Sequence, residues 1–452
     1  MAIGGTLACN AKSAHDNDDQ VADGSSSTSD TDIFPDAEPK RTTRQWGTSF
    51  VDQGQGVAVD LIGNIYVTGN TMGSLDGNAS AGQEDIFLTK WNADGTKGWT
   101  QQWGTPNRDH GLSVAIDQSG TSVYVSGSTF GSLEGNTAWG NTDVFLTKID
   151  ADGNRIWTRQ WGSPDDDWGR SVAVDPSGNI YVVGSTVDSQ DSFCSFPCQD
   201  IFLTKWNMDG LLEWAKQWGA HNADSGRSVA VDMNGNIYVA SYEGDVLGGN
   251  GDSANKEISL SKWGTDGAFE WTRQLGNYGH EYPQSVAVDH YGDVYVTGTV
   301  SGLIEGSVGE GDVFIAKWNR DGTQAWVKQW GDGYGGNSIA IDTAGSIYVA
   351  GVAYGSSEGN TDDIGACYGN PCPDIFLAKR NVDGSKAWTQ QWGTRYSEDV
   401  FGVAVDFFGK VYVVGGTGGS LDGNINEGGD CDPNVNGDQP CADIFLSIIT
   451  IE

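Results

Sequence analysis

Short stretches of alternating apolar and polar residues run along the chain, separated by turns rich in Gly, Asp and Asn. Residues 56–103 show the unit clearly. Alternation with β-branched and aromatic enrichment predicts four strands there, at Val57–Asp60, Asn64–Gly69, Asp85–Trp91 and Gly98–Trp103. The segments Asp60–Gly63 and Asn92–Gly95 predict tight hairpin turns, with Gly available for positive φ. The unit therefore reads as a four-stranded antiparallel meander.

This unit recurs seven times between Gln45 and the C-terminus. A Tyr-Val pair marks the second strand at Tyr66, Tyr124, Tyr181, Tyr238, Tyr295, Tyr348 and Tyr412. A Gln-Trp-Gly marker ends the fourth strand at Trp46, Trp103, Trp161, Trp218, Trp330 and Trp392, with Leu275 in one copy. Most copies lie 57 or 58 residues apart, which fits one propeller blade with a long loop. The sequence predicts an all-β, seven-bladed propeller over residues 42–452.

Side-chain size predicts the radial order of the strands. The first strand carries Ala58, Ala115, Ala173, Ala230, Ala287, Ala340 and Ala404. The fourth strand carries Trp99, Trp157, Trp214, Trp271, Trp326 and Trp388. Because blades converge at the axis and splay at the rim, small residues belong inside and large ones outside.

The seventh repeat stops after its third strand, residues 443–451, while residues 42–47 read as a fourth strand. We therefore expect the N-terminal strand to complete the last blade, which would remove two exposed sheet edges.

The repeated motifs resemble the bacterial β-propeller repeat proteins of the SBBP type. The resemblance rests on residues 178–184 (Gly-Asn-Ile-Tyr-Val-Val-Gly), on 200–205 (Asp-Ile-Phe-Leu-Thr-Lys), on Asp209-Gly210, and on their counterparts in each blade. It covers residues 42–452, although the Gln-Trp-Gly strand end and the cysteine-bearing loops depart from the usual pattern. It implies a propeller fold and a surface or secreted protein, and it supplies no catalytic residues.

Charge excludes one class of partner. The formal net charge of the 452 residues is −36, whereas a nucleic-acid binder needs a basic face to displace counterions. No run of residues approaches the ~20 apolar residues of a membrane-spanning helix.

The seven cysteines fall into three close pairs and one single residue. Cys194/Cys198, Cys367/Cys372 and Cys431/Cys441 each share one long polar loop, which favours local disulfides and an oxidising compartment. A zinc site is the alternative, although each loop offers only two Cys and no nearby His.

Cys9 follows Gly-Thr-Leu-Ala, as at the end of a lipoprotein signal, within a segment 1–9 that lacks a basic start and a full apolar region. Either the start lies upstream or the resemblance is accidental. Residues 10–41 predict a disordered acidic, Ser-rich tether. If Cys9 is lipidated, the protein is extracytoplasmic and membrane-anchored through that residue alone; we expect a monomer.

Binding residues are expected on one face of the ring. In a four-stranded meander the connections 2–3 and 4–1 share a face, which we call the loop face, and the tight connections 1–2 and 3–4 form the turn face. The loop face holds the long, variable loops, where binding residues concentrate. Its unrepeated aromatic residues are Trp139, Trp168, Tyr278, Tyr282, Tyr334 and Tyr396. They suit a glycan or a protein ligand, or they pack under their own loops.

An acid follows the Trp-Gly position by six residues in most blades, at Asp52, Asp109, Asp167, Asp224, Glu281 and Glu398. These acids predict an acidic ring at the channel mouth, either as a cation-attracting site or as a hydrated rim. Residues that recur in every blade, such as Asp60 and Lys90, are expected to be structural.

One loop suggests a metal site. Asp432, Asn434, Asn436, Asp438 and Asp443 match the spacing of an EF-hand calcium loop, with Gly437 at its sixth place. Against this, Asp443 is also the Asp that opens the third strand in other blades.

Catalytic signatures are weak. Gly355-Ser-Ser-Glu-Gly359 fits a nucleophile elbow but aligns with a loop whose central residue is Leu in other blades. Two hypotheses stay open: a non-enzymatic binding or scaffold propeller, and a polysaccharide hydrolase or lyase that uses the channel-mouth carboxylates.

Overall fold

The computed structural model describes residues 39–188, 198–219, 224–244, 256–276, 281–304, 307–308, 312–331, 334–354, 366–367, 370–427 and 441–451. Within them lie seven antiparallel sheets, each built on four strands that we call A to D from the axis outward. The A strands of successive blades contact one another in a closed ring, blade 7 against blade 1 included. The predicted seven-bladed β-propeller is confirmed.

The A strands are Asp52–Val59, Asp109–Ile116, Asp167–Val174, Ser225–Val231, Glu281–Val288, Tyr334–Ile341 and Glu398–Val405. The B strands are Ile65–Thr71, Ser122–Thr129, Ile180–Asp188, Ile237–Gly244, Val294–Val300, Ile347–Tyr354 and Val411–Thr417. The C strands are Asp85–Trp91, Asp143–Asp150, Cys198–Trp206, Lys256–Trp263, Val313–Trp318, Pro373–Arg380 and Asp443–Thr450. The D strands of blades 1 to 6 are Lys97–Trp103, Arg155–Trp161, Leu212–Trp218, Phe269–Leu275, Gln324–Trp330 and Lys386–Trp392.

The short elements lie in the loops. Three 3-10 turns, Leu75–Gly77, Leu133–Gly135 and Leu421–Gly423, follow B strands. Ser307–Val308 adds to the fifth sheet, and Ala366–Cys367 pairs with Asn370–Pro371. No helix in the described ranges is long and apolar enough to cross a membrane.

Each A strand starts earlier than the apolar pattern predicts, at Asp52 rather than Val57 in blade 1. The early residues are Gly, Gln and Asp, which carry no alternating signal, yet Asp52 and Gln53 pair with Thr71 and Asn70 of the B strand. In all seven blades the A–B register shifts by one residue inside this segment, as between Gly54 and Gly56. A β-bulge leaves one residue unpaired and re-aims its side chain.

The A–B turns are fixed by the repeated Asp. The Oδ1 atom of Asp60 accepts hydrogen bonds from the backbone amides of Ile62 and Asn64, at 3.1 and 2.8 Å. Gly63 closes the turn at φ +90°, a conformation that other residues rarely adopt. The structural role predicted for Asp60 is confirmed.

The hydrophobic core is divided among the spaces between neighbouring blades. The cluster between blades 7 and 1, for example, joins Tyr412, Val414 and Ile444 to Ile65 and Phe87. Every such space holds a comparable set of B- and C-strand residues.

The N-terminal strand Lys40–Trp46 occupies the D position of blade 7, antiparallel to the C strand Asp443–Thr450. It begins at Lys40, inside the segment predicted as tether. Trp46 is buried in the core between blades 7 and 1 and packs edge-on against Trp91, with ring centroids 5.3 Å apart. Arg41 forms an ion pair with Asp422 at 2.8 Å. The ring is therefore closed by non-covalent pairing of the two ends of the propeller.

Deleting residues 1–48 should lower the free energy of unfolding sharply, because loss of the buried Trp46 side chain alone costs about 3–5 kcal/mol and an edge is exposed. Deleting residues 1–38 is the control and should leave the midpoint of thermal unfolding unchanged. Equal midpoints for the two truncations would contradict this closure.

Candidate functional site: the central channel

The seven bulged residues of the A strands line the central channel together. A cavity of about 370 Å³ is lined by Gln55, Leu112, Arg170, Arg227, Gln284, Asn337 and Phe401. An adjoining cavity of about 150 Å³ is lined by the same residues and those that follow them. Each bulge thus presents one side chain to the axis, and these seven side chains differ while their neighbours repeat.

The residue after each bulge is structural. Ser113 Oγ accepts a hydrogen bond from the backbone amide of Val172 in the next blade at 3.2 Å, and Ser171 accepts one from Val229 at 3.3 Å. Ser228, Ser285 and Ser338 continue the series to blade 7. Blade 1 has Gly56 instead, whose added Cβ would lie 3.2 Å from Ser113 Cα. These contacts hold the A strands side by side and leave the bulged residues free to vary.

Two arginines in adjacent blades, Arg170 and Arg227, dominate the charge of the channel. Arg227 Nη2 donates to Gln284 Oε1 at 2.8 Å, whereas Arg170 forms no hydrogen bond or ion pair with another described residue. The Nε atoms of both are buried without a hydrogen-bond acceptor. Burial, and then repulsion from Arg227, lowers the pKa of Arg170 to about 10. The described residues of the channel wall include no carboxylate.

Aromatic residues continue from this arginine pair around the loop-face mouth. The contacts run through His110, Phe130, Trp168, Arg170, Arg227, Tyr242 and Tyr282, which we call the mouth arc. Trp168 lies edge-on to Phe130 at 6.0 Å and 5.9 Å from the guanidinium of Arg170. On the other side, Arg227 lies 5.8 Å from the Tyr242 ring, and Tyr242 lies 5.9 Å from Tyr282. A ligand at the mouth would meet aromatic rings and guanidinium groups together.

A carboxylate orients one end of the arc. Glu84 Oε2 lies 2.7 Å from His110 Nε2, and Glu84 Oε1 lies 3.4 Å from Arg108 Nε. The hydrogen bond with His110 lowers the pKa of Glu84.

The predicted acidic ring at the channel mouth is wrong. Asp52, Asp109, Asp224 and Glu398 are fully buried, and Asp167 and Glu281 are 2% and 3% exposed. Asp52 accepts hydrogen bonds from Thr48 and from the hydroxyl of Thr71. As the first or flanking residues of the A strands, these acids turn into the space between blades rather than toward the axis.

Each buried acid lies beside the Asp or Glu at the C strand of the preceding blade. A Cβ built on Gly47 would lie 2.5 Å from Asp443 Oδ1 and 2.9 Å from Asp52 Oδ2. The pairs are Asp443/Asp52, Asp85/Asp109, Asp143/Asp167, Asp200/Asp224, Glu257/Glu281 and Asp374/Glu398. We call them the inter-blade carboxylate pairs.

The inter-blade carboxylate pairs explain why the Gln-Trp-Gly marker ends the fourth strand. Gln102 donates to Asp85 Oδ2 at 2.7 Å, Trp103 fills the core between blades, and Gly104 leaves the space that a Cβ would take from both carboxylates. Gln160, Gln217 and Gln391 donate to the equivalent aspartates.

Burial raises the pKa of four A-strand members of these pairs, Asp52, Asp109, Asp167 and Glu398, despite the hydrogen bonds that oppose it. The pKa of Asp52 rises to about 6, and that of Glu398 to about 8, with the neighbouring Asp443 and Asp374 adding to the effect. The acids with shifted pKa values recur with the repeat and lie between packed blades. Their shifts therefore indicate a structural role rather than a catalytic acid.

Lys90 is also structural, as predicted. Its ammonium group lies 5.5 Å from the Tyr66 ring and donates to Ala151 O in the next blade at 3.0 Å. Lys148 and Lys205 make the equivalent bonds to Met208 and Thr265.

The other predicted aromatic residues do not join the arc. Trp139 is 61% exposed in the B–C loop of blade 2. The Tyr396 hydroxyl accepts a hydrogen bond from Arg395 Nη2 at 2.7 Å. Tyr334 takes the strand position that the acid occupies elsewhere, and its side chain lies outside the described residues, as does all of Tyr278.

The calcium and disulfide predictions fall mainly on residues outside the described ranges. These are Cys9, Cys194, Cys431, Asp432, Asn434, Asn436 and Asp438, together with the side chains of Cys198 and Cys367. Cys372 and Cys441 take part in disulfide bonds, while the three pairings stay predictions. Asp443 is fully buried, and its Oδ2 accepts hydrogen bonds from Glu427 N at 2.7 Å and Gln45 Nε2 at 3.2 Å.

The bulged residues were missed because the strand was predicted to begin at Val57, beyond them. The signal was present, since a variable residue stands between Gly or its substitute and Ser or Gly in every blade, as Arg170 does between Gly169 and Ser171. Residues that vary inside an otherwise repeated segment are the site candidates of a repeat protein.

Comparison with known proteins agrees with this repeat. The family model described as SBBP, β-propeller repeat, matches residues 43–76, 156–187, 213–242 and 270–303. The chain carries SBBP β-propeller repeats.

Two curated proteins are similar over much of the chain. The regulatory protein FlaEY of Caulobacter vibrioides is 25% identical, over 80% of this chain and 44% of that protein. An uncharacterized WD repeat-containing protein of Acanthamoeba polyphaga mimivirus is 23% identical, over 64% of this chain and 22% of that protein. The SBBP repeat chain thus spans less than half the length of these relatives.

Among solved structures, virginiamycin B lyase from Staphylococcus aureus superposes with a TM-score of 0.50 at 9% identity, over 92% of this chain and 100% of that one. At such low identity this likeness shows the fold alone.

Replacing Glu398 with Gln should remove a pH dependence of stability. Folded Glu398 has a pKa of about 8 against an ordinary 4.5, so the folded state holds a proton that the unfolded chain releases. The stabilisation is complete below about pH 4.5 and is lost as pH rises through about 8, with a slope of at most about 1.4 kcal/mol per pH unit.

Urea unfolding at about pH 5.5 and about pH 8.5 measures this effect. The wild type should lose more stability between the two pH values than Glu398→Gln, whereas the exposed-site control Glu213→Gln should behave like the wild type. A Glu398→Gln variant with the wild-type pH slope would show that Glu398 is ionised throughout.

Proposed function

We propose that this SBBP repeat protein is a non-enzymatic binding or scaffold propeller whose ligand, a glycan or a protein, docks at the loop-face mouth of the channel. The observation that carries the proposal is the mouth arc, a series of contacts between rings and guanidinium groups in blades 2 to 5 whose two arginines line a cavity of about 370 Å³. Ligand sites combine apolar rings with a few convergent polar groups in concavities of roughly 300–1,000 Å³.

The burial of the carboxylate pairs favours binding over hydrolysis. The hydrolase or lyase alternative needed channel-mouth acids as acid and base. Asp52, Asp109 and Glu398 are instead fully buried and hydrogen-bonded to neighbouring threonines. A sugar cannot reach these carboxylates without separating the blades.

An extracytoplasmic, cell-surface location is part of the proposal. Cys372 and Cys441 in disulfides favour an oxidising compartment. A lipid on Cys9 would hold the protein at a membrane, and the loop face would then be available to partners outside the cell.

A glycan and surface-protein array tests the proposal. Wild-type protein should bind at least one glycan or protein, and Trp168→Ala should weaken that binding at least about tenfold, because aromatic anchors commonly contribute 2 kcal/mol or more. Tyr282→Ala should weaken it less, since Tyr282 lies farther from the arginine pair.

Matched aromatic variants locate the site. Trp139→Ala removes an exposed ring of the loop face outside the arc, and Phe408→Ala removes a ring of the turn face that is 77% exposed. Both should bind like the wild type. Loss of binding in Phe408→Ala with full binding in Trp168→Ala would place the site on the opposite face.

Calcium at the loop 432–443 is a separate part of the proposal. If the ion binds only the folded state, calcium at a hundredfold excess over Kd stabilises the protein by roughly 2.7 kcal/mol. Calorimetry should show that chelator lowers the unfolding temperature of the wild type and leaves Asp432→Ala unchanged. Equal responses of both proteins to chelator and to added calcium would remove the ion from the proposal.

A further inference from the structure

We infer that Arg170 and Arg227 form a binding site for an anionic group, a carboxylate or a phosphate, inside the channel. This inference deepens the proposed function, on which it rests, by naming the charge of the ligand. The two residues stand at the same bulge position of adjacent blades, and both line the cavity of about 370 Å³.

Among the described residues that line the two cavities, the arginine pair has no carboxylate counter-ion. Gln284 supplies a neutral oxygen to Arg227, and the other described lining side chains are Gln55, Leu112, Asn337 and Phe401, all uncharged. Like charges held together at a partly desolvated site destabilise the protein unless an anion offsets them. The chain as a whole has a net charge of −36 and repels anions. Two cations that converge on one cavity without a carboxylate therefore attract an anion to that cavity specifically, and not to the protein surface in general.

Guanidinium chemistry defines the ligand class. The planar donor fork of Arg matches the two oxygens of a carboxylate or a phosphate. Asn337 and Gln55 across the cavity add amide groups that bind hydroxyl or carbonyl oxygens. The fit is to a small organic anion, or to an anionic group of a larger ligand that enters the mouth past Trp168.

Each guanidinium group lies within about 6 Å of a neighbouring aromatic ring, the range of a cation–π contact. Trp168 lies 5.9 Å from Arg170, and Tyr242 lies 5.8 Å from Arg227. These contacts reduce the conformational entropy that the side chains lose when an anion binds.

Titration calorimetry and thermal unfolding with inorganic phosphate, citrate and glucuronate test the inference, with chloride at matched ionic strength as reference. At least one of the three anions should bind saturably to the wild type and raise its unfolding temperature. Phosphate alone as the binder would indicate a phosphorylated ligand, and citrate or glucuronate alone a carboxylate. If none of the three anions binds, the inference of an anion site is wrong.

Two variants separate a specific site from bulk charge. Arg170→Gln with Arg227→Gln should reduce the affinity at least tenfold, whereas Arg320→Gln, which removes an exposed cation of the turn face, should not change it. Unchanged affinity in the double variant would overturn the inference.

Gln284→Glu gives a test that does not depend on removing either arginine. It places a carboxylate where an oxygen already lies 2.8 Å from Arg227. The variant should unfold at a higher temperature than the wild type in anion-free buffer and should lose the shift produced by the binding anion. An undiminished shift would contradict the site.

The proposed function can fail separately. If the double variant binds an array ligand with wild-type affinity and the wild type binds none of the three anions, the propeller is a binding protein and the anion inference is wrong. If no array ligand binds but phosphate or citrate does, the channel takes a free small anion, and the proposal of a docked glycan or protein fails instead.

Discussion

Sheets that stand side by side around an axis share no continuous backbone hydrogen-bond ladder. Single backbone bonds join neighbouring blades, as from Asp52 N to Ala442 O at 2.8 Å, and the rest of the ring depends on side-chain contacts between blades. The Gln-Trp-Gly strand end supplies one repeated set of these contacts. Trp103 fills the space between blades 1 and 2, while Gln102 and Gly104 accommodate the carboxylates of Asp85 and Asp109. Burying two acids side by side is costly, and the pKa of Asp109, which burial raises, reflects that cost. Repeating the same contact around the ring fixes the angle between successive blades.

The seven-bladed ring could be predicted from the sequence because many of its structural residues recur at the same place in the blades. Turn aspartates such as Asp60, turn glycines such as Gly63 and inter-blade lysines such as Lys90 were classed correctly from their recurrence alone. Recurrence does not reveal the direction of a side chain. Asp52 and its equivalents recur, which indicated structure, yet their place near the axis suggested exposure. Only the register of the A strand, which begins at Asp52 and bulges at Gln55, decides between these orientations.

The candidate site follows from the same bulge. A regular strand would pair every residue between the start of the A strand and its alanine, and side chains would alternate between the two neighbouring blades. The bulge removes one residue from that alternation and turns it toward the axis. Because no packing constraint acts on it, this position holds Leu112 in one blade, Phe401 in another and arginine in two. The fold thus provides seven variable positions within a structure that otherwise repeats from blade to blade. The alternation of apolar residues does not reveal this position, since the Gly-rich segment carries no periodic signal, whereas comparison of the blades does, since a variable residue stands between repeated small residues there.

The distribution of charge differs between the spaces between blades and the wall of the channel. The acids at the starts of the A strands lie between blades, where Asp52, Asp109 and Glu398 accept hydrogen bonds from the backbone amides and hydroxyls of threonines. The channel wall in the described residues is therefore free of carboxylates although the chain as a whole carries a formal charge of −36. An anion approaching from solvent meets an unfavourable long-range field, which salt screens beyond about 10 Å at 0.1 M ionic strength. Inside the channel it meets, at close range, two guanidinium groups with no carboxylate among the described lining residues. Added salt should consequently raise the association rate while it weakens the short-range contact, an opposite dependence to that of a basic surface patch, where salt slows association and weakens binding together.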